Sequence, residues 1–429
     1  MGKSQSRRTR TAIAAGLAAL AILAYWPSLS LPYISDDYVQ IMLARDYGPV
    51  SGWPSLAQDA LYRCRATSLV LTYWTEKLFG LDPLPYRLSS LLLHILNTWL
   101  VYALGAWRVI GRRVALPAAA FFAVYEGHQE AVIWYAALPE LLVFFFSLLC
   151  LTVWIRWLER RRDRRWYLAA LAAFLLALAS KESGVAVVGL LALIAWSARK
   201  DRAKAMAWIA PFGALSVAYA ALIFAAQNTH LHLNDGTFSL RAAFWWTLLN
   251  STRRLFWFWG LLALVVIIVW RLRRRRFLLC AAAAWIVITF LPYSFLTYMP
   301  HVPSRHTYFA SAGLAFIVGA GGLAAWRQLQ KWKRWAPAAL AGLIIAHNCL
   351  YLWIRKQRQF AERAAPTEAL VEFAAKTQRP IVIECFPYSP VLAQMALELR
   401  LKRKAYPAGS PNVPPEAAGF CWPHQPGRR

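Results

Sequence analysis

Apolar runs close to the length of a bilayer crossing recur through the whole chain, and every second gap between them is filled with lysine and arginine. A helix needs about 20 apolar residues to cross the hydrocarbon core. Runs of that order, some shorter, occupy residues 11–31, 88–107, 114–124, 138–157, 167–179, 185–198, 205–226, 256–270, 277–295, 309–326 and 336–354. Of the 429 residues 59% are hydrophobic and only 16% charged. An ordinary soluble domain carries about a quarter charged residues, so that class is excluded. The pattern predicts an all-α polytopic membrane protein with about eleven transmembrane helices over residues 1–354.

The net charge of +28 would fit a nucleic-acid partner only if it formed a continuous patch. It is instead divided among clusters at residues 3–10, 108–113, 156–165, 199–204, 271–276 and 327–334. These six hold 26 basic and three acidic residues, while the segments between them are near balance. With eleven crossings and a cytoplasmic N-terminus, every cluster falls on the cytoplasmic side, as the positive-inside rule requires. The partners expected are therefore the bilayer and its lipids, not nucleic acid. The first run has a basic flank and a passable cleavage site at Ser28-Leu29-Ser30. We read it as a retained anchor.

The same parity puts four segments outside: residues 32–85, with an amphipathic stretch at 67–79, then 126–137, 227–254 and 298–308. Trp245 and Trp246 read as interface anchors in the third. From Arg355 the composition changes. Residues 368–376 and 391–402 read as helices and 380–385 as a strand, so residues 355–429 form a small extracytoplasmic α/β tail with a disordered Pro/Gly-rich end. Of the six cysteines, Cys150, Cys280 and Cys349 fall in apolar runs as packing residues. Cys385 and Cys421 fall in the tail, and spacing leaves their pairing open.

Ionisable residues cluster at the outer ends of the runs. Asp36 and Asp37 follow the first; such a pair can take a proton from a hydroxyl, or serve as a solvated pair or helix cap. Glu126, His128 and Glu130 lie between two runs, where charge is expensive unless it meets water or a partner. A metal there would want a second His or Asp cluster nearby, and none follows. Lys181-Glu182 is either an internally neutralised pair or a lysine aimed at a phosphate. Arg305, like Arg63 and Arg65, either forks onto a phosphate or snorkels. No Walker loop, GxSxG or HExxH arrangement stands in a usable context.

In order and spacing these residues resemble the GT-C superfamily of membrane glycosyltransferases, closest to the transmembrane O-mannosyltransferases that carry tetratricopeptide repeats and their bacterial relatives. The resemblance covers residues 31–318 and rests on six elements: Asp36-Asp37, Arg65-Ala66-Thr67, Tyr86 to His94, Tyr125 to Trp134, Ser180-Lys181-Glu182, and Arg305 to Gly313. Arg87, Ser90, Tyr125 and Glu126 depart from the residues usual there, and no repeats follow the membrane part. The resemblance implies an inverting glycosyltransferase of GT-C type. It would move a sugar from a polyprenyl-phosphate donor to an acceptor hydroxyl on the non-cytoplasmic face of a bacterial inner membrane. It further implies Asp36 as general base with Asp37 orienting it, and Arg65, Lys181 and Arg305 on the donor phosphate. His94, His128, Glu130, Glu182, His306 and Tyr308 would line the pocket, with no metal or other cofactor. A lipid-linked polysaccharide polymerase or ligase would not require the carboxylate pair. A transporter or scaffold would favour repeat symmetry, which is absent.

Overall fold

The protein is described here from a computed structural model covering residues 2–49, 54–159, 163–197, 202–269, 276–297 and 301–422. The parts of the basic clusters at 160–162, 199–201 and 271–275, the start of the fourth outer segment at 298–300 and the last residues, 423–429, lie outside this set.

The membrane part opens with α1 (Gly2–Tyr25), α2 (Asp37–Tyr47), α3 (Ala60–Phe79), α4 (Pro83–Ala103) and α5 (Arg112–Val124). It continues through α6 (Leu138–Glu159), α7 (Arg164–Leu178), α8 (Ala186–Trp196) and α9 (Ala210–Ala225). It closes with α10 (Phe244–Phe256), α11 (Trp259–Val269), α12 (Arg276–Phe290), α13 (Ser311–Trp332) and α14 (Ala336–Leu350). Six stretches among the described residues are long and apolar enough to cross a membrane: Arg8–Ser30, Pro83–Ala106, Tyr135–Glu159, Arg202–Ala225, Arg276–Phe295 and Ala336–Lys376. α10 and α11 make a seventh if their 71° bend is counted within one span. The shorter α5, α7 and α8 stand where crossings are expected but have only 13, 15 and 11 residues.

Burial ranks the helices. The apolar window of Tyr135–Glu159 is 78% buried by protein, whereas those of Arg202–Ala225 and Ala336–Lys376 are 22% buried. α6 is therefore the central post, and the other two present their sides to lipid. Without a hydrophobic drive between helices in lipid, close packing depends on small residues. α13 shows this directly. A Cβ on Gly313 would meet the carbonyl of Ala282 in α12, one on Gly319 the carbonyl of Val114 in α5, each at 2.7 Å. Gly321 similarly abuts Ala263 of α11.

The expected boundary at residue 355 falls inside continuous helix. α14 passes through a π-helical turn, Tyr351–Lys356, into α15 (Gln357–Lys376), because no glycine or αL residue stops it. The tail then forms β1 (Ile381–Cys385), α16 (Pro390–Leu401), β2 (Ala405–Pro407) and β3 (Ala418–Cys421). Its strands make a parallel sheet of order β2-β1-β3, with Cys385 and Cys421 joined as a disulfide across β1 and β3. β2 and β3 have three and four residues, too few to show a period of two in sequence. The tail packs on α2: Tyr38 donates to Glu368 of α15 at 3.3 Å. The tail and the Asp36 loop thus share one side of the membrane.

Candidate active site

Asp36 and Asp37 part at a backbone kink. Ser35 has φ of 37°, in the left-handed region. α2 begins immediately after it, and adjacent carboxylates at that start point in different directions. Asp37 is fully buried. Its Oδ2 accepts from the Ile34 amide at 2.9 Å and from Arg87 at 3.0 Å, and its Oδ1 from the Ala136 amide at 2.8 Å. Arg87, itself 2% exposed, also donates to the carbonyls of Pro32 and Ile133. This knot fixes the 32–37 loop on α4 and on the segment before α6. Asp36 is left exposed, with no side-chain cap bond. Partial desolvation raises its pKa above the usual aspartate value, while the positive charges of Arg305 and Arg363 pull it down. Both guanidinium groups lie over the Trp134 ring, at 5.1 and 4.5 Å from its centroid.

Lys181 and Glu182 also diverge, each into its own network. Lys181, 7% exposed, donates to Glu140 of α6 and lies 3.3 Å from His306 Nδ1. Glu140 in turn receives Tyr293 Oη at 2.6 Å and contacts His306. Glu182 pairs with Arg65 of α3 at 2.9 Å and with His230 Nε2 at 3.0 Å. Thr67 locks the two elements together: its amide donates to the Ala179 carbonyl and its hydroxyl to Ser180. The Cys64 sulfur, the Glu182 carboxylate and a His230 ring nitrogen lie within 4.8 Å of one another, a set able to hold a metal. Arg65 opposes a second cation on that carboxylate.

These networks form the polar end of a cavity of about 480 Å³. Lys181, Glu182, His230, His232 and His306 line that end. Its remaining walls are apolar and come from α8, α9 and α12 through residues such as Ala186, Ile223, Phe224 and Ile288. A second cavity, of about 660 Å³, is bounded by Glu126, Gln129, Asn250, Arg253, Arg254 and His301 among others.

One short turn divides the two. Ser304–Thr307 is a 3₁₀ helix, with three residues per turn, so Ser304 and Thr307 point the same way and the two residues between point elsewhere. Ser304 and Thr307 line the second cavity and His306 the first. Arg305 goes to Trp134 and Asp36, its backbone amide donating to Glu130 at 3.1 Å. The turn Glu126–His128 is also a 3₁₀ helix: Glu126, Gly127 and Gln129 line the second cavity, while His128 is buried away from it.

His94, His128 and Tyr308 lie deeper. All three are fully buried and line neither of these cavities. His94 Nε2 faces the Ala123 carbonyl at 3.1 Å and so donates; Nδ1 therefore accepts from the Tyr308 hydroxyl at 2.8 Å. His128 contacts Ser311 Oγ at 2.7 Å, and burial pushes its pKa down, keeping it neutral. Of the expected residues, the structure thus gathers Lys181, Glu182 and His306 at the first cavity, with Arg65 just behind them, and Asp36, Arg305 and Glu130 beside the dividing turn. It adds Glu140, Tyr293, His230 and Arg363. Glu140, a carboxylate inside an apolar run, carries a signal that sequence alone offers.

No protein-family model matches the sequence. The protein O-mannosyl-transferase Tmtc1 of Drosophila melanogaster is 32% identical over 132 residues, a stretch that is 28% of this chain and 15% of the fly protein. ArnT from Cupriavidus metallidurans, solved with undecaprenyl phosphate, superposes with a TM-score of 0.55 over 92% of this chain and 85% of its own, at 14% identity. The oligosaccharyltransferase AglB from Archaeoglobus fulgidus, solved with an inhibitory peptide and a dolichol-phosphate, gives 0.56 over 93% of this chain and 64% of its own, at 13% identity. At such identities the structural likeness is one of fold, and the fly protein adds likeness of sequence. The chain thus shares its fold with ArnT and AglB over most of its length, and over 132 residues it is also similar in sequence to Tmtc1.

Proposed function

We propose that the protein is an inverting glycosyltransferase that moves a sugar from a polyprenyl-phosphate donor to an acceptor hydroxyl. The observation that carries this reading is the first cavity: apolar along three helices and polar at one end, where Lys181 stands among carboxylates and histidines, it suits the two-part character of a lipid phosphate. Lys181 has three N–H bonds, one of which goes to Glu140, whose carboxylate also takes the His306 Nδ1–H, so Lys181 keeps donors for a phosphate oxygen. Arg65, held by Glu182 behind that end, and Arg305, next to His306 on the dividing turn, add positive charge nearby, and His230 fixes Glu182 in turn. The acceptor hydroxyl gives its proton to Asp36 as its oxygen bonds to the anomeric carbon. The bond from that carbon to the phosphate oxygen breaks, and the lipid phosphate leaves with the electron pair. Attack opposite the leaving group inverts the centre. His94, His128 and Tyr308 support the site from within the helix packing, and Glu130 holds the Arg305 turn. We assign no cofactor, because these cations supply the charge stabilisation that a phosphate leaving group requires.

Replacing Lys181 with Met tests the donor site. Binding of undecaprenyl phosphate to the purified protein should weaken about tenfold or more, as for loss of a charge-assisted bond. Undecaprenol, which lacks the phosphate, should bind wild type and variant alike. Equal loss for both lipids would assign the residue to packing alone.

The reading also fixes orientation: cytoplasmic N-terminus, about eleven crossings, and the Asp36 side and tail outside a bacterial inner membrane. In a Cys280→Ala background, an impermeant maleimide should label Glu372→Cys in intact cells and Lys333→Cys only in opened membranes. The reverse pattern would invert the protein and remove the positive-inside assignment.

A further inference from the structure

The second cavity belongs to α10. Trp246, Asn250, Arg253 and Arg254 fall at spacings of four, seven and eight from the first, one face of a helix, and all four line it. A second stripe, Thr247, Leu248, Ser251 and Leu255, is buried against the protein, with Ser251 accepting from the Val302 amide at 3.1 Å. A third, Trp245 and Leu249, is 77% and 63% exposed. α11 is wholly apolar, and α10 leaves it at 71° through Phe258, whose φ is 67°. If α11 crosses the membrane, α10 lies much nearer its plane, with Trp245 and Leu249 available to the acyl boundary.

The charge of this cavity is one-sided. Arg253, Arg254 and His301 face a single carboxylate, Glu126. Glu126 is already engaged by Trp259 Nε1 at 3.1 Å, and burial raises its pKa, which lessens its repulsion of an anion. Neither arginine has a carboxylate partner among the described residues. Trp246 and Trp257 line the cavity while 60% and 70% exposed, so its rim is continuous with the surface that α10 offers to lipid. Ser304 and Thr307 close it on the side of Arg305 and Asp36.

We infer that this second cavity receives the acceptor, and that the acceptor is a membrane amphiphile with an anionic, phosphate-bearing head group held by Arg253 and Arg254. The inference rests on the glycosyltransferase reading, because it supplies the hydroxyl that Asp36 deprotonates. The chemistry follows from the surroundings. Two guanidinium groups fork onto phosphate oxygens, exposed tryptophans border the passage from the bilayer, and the wall toward Asp36 carries small hydroxyl side chains.

The test uses the full chain in zwitterionic detergent, with dioctanoyl phosphatidic acid as probe and Trp fluorescence as readout. Wild type should bind this lipid. Arg253→Gln/Arg254→Gln should bind it about tenfold or more weakly, and Arg253→Lys/Arg254→Lys should keep most of the affinity. Dioctanoylglycerol should bind poorly to all three, and inorganic phosphate should compete only at far higher concentration. Undecaprenyl phosphate binding, which depends on Lys181, should survive in the glutamine variant; this shows a folded protein and separates the two sites. Equal affinity of phosphatidic acid for wild type and the glutamine variant would overturn the inference. So would arginine-dependent binding of an acidic peptide with no binding of the lipid, or inorganic phosphate binding as tightly as the lipid. None of these outcomes touches the donor site. Loss of lysine-dependent undecaprenyl phosphate binding in wild type would instead remove the reading on which the inference stands.

Discussion

Asp36→Asn should lower sugar transfer by about 10²-fold or more while leaving the protein folded and able to bind undecaprenyl phosphate, the loss a positioned general base incurs when it can no longer take a proton. The structure makes this variant a clean probe. Asp36 is exposed, and its carboxylate holds no side-chain cap bond whose loss would unwind α2. The asparagine is nearly isosteric, so Arg305 and Arg363 keep their places over Trp134. A pH signature accompanies the loss. Desolvation raises the Asp36 pKa, and only the ionised form accepts a proton, so the wild-type rate should fall as pH drops through a value above that of ordinary aspartate. Turnover by the purified variant is the measurement. A rate near that of wild type would remove Asp36 as the base and leave the fold assignment untouched.

The membrane architecture was legible because it is written as composition over long windows. Burial of backbone in lipid forces helices, and the basic clusters repeat with one parity. What windows miss is length and direction. The runs at 114–124, 167–179 and 185–198 are helical, but their helices have only 13, 15 and 11 residues. The continuation of the last span into the tail was not legible either. A sequence reader stops a membrane helix where charge begins, at Arg355, whereas helical hydrogen bonding continues until a residue breaks it.

The site was legible as a set of residue types and illegible as a set of directions. Asp36-Asp37, Lys181-Glu182 and Arg305-His306 are each adjacent in sequence, and each pair divides between two environments. Sequence adjacency suggests shared roles. The backbone denies it, through the left-handed Ser35 in the first case and a three-residue-per-turn helix in the last. Residues that complete each environment come from far away: Glu140 from α6, Tyr293 from the end of α12, and Arg363 from α15. Arg87 shows the same limit. It departs from the residue usual in the family the sequence resembles, which reads as a change in the pocket. Its side chain instead holds the 32–37 loop.

That loop gives the second large effect. Asp37→Asn should destabilise the protein by about 3–5 kcal/mol, the penalty of breaking a buried ion pair from one side. The near-isosteric change is no protection here. Asp37 receives donors on both oxygens, from Ile34 and Arg87 on one and from Ala136 on the other. An asparagine must turn its NH₂ toward one set of them, and it leaves the Arg87 guanidinium, 2% exposed, without its counter-charge. Arg87 cannot swing to water, because its other bonds go to the carbonyls of Pro32 and Ile133 inside the same knot. Thermal unfolding in a single detergent should therefore show a large fall in midpoint for Asp37→Asn beside almost none for Asp36→Asn. Adding Arg87→Met to the Asp37→Asn background should recover part of the loss, since the unpaired cation goes with it, and a double-mutant cycle would show the coupling. Activity should fall in all variants lacking Asp37, in proportion to how loosely the loop then holds Asp36. An Asp37→Asn protein with an unchanged midpoint and a lost rate would reverse the assignment and make Asp37 the base.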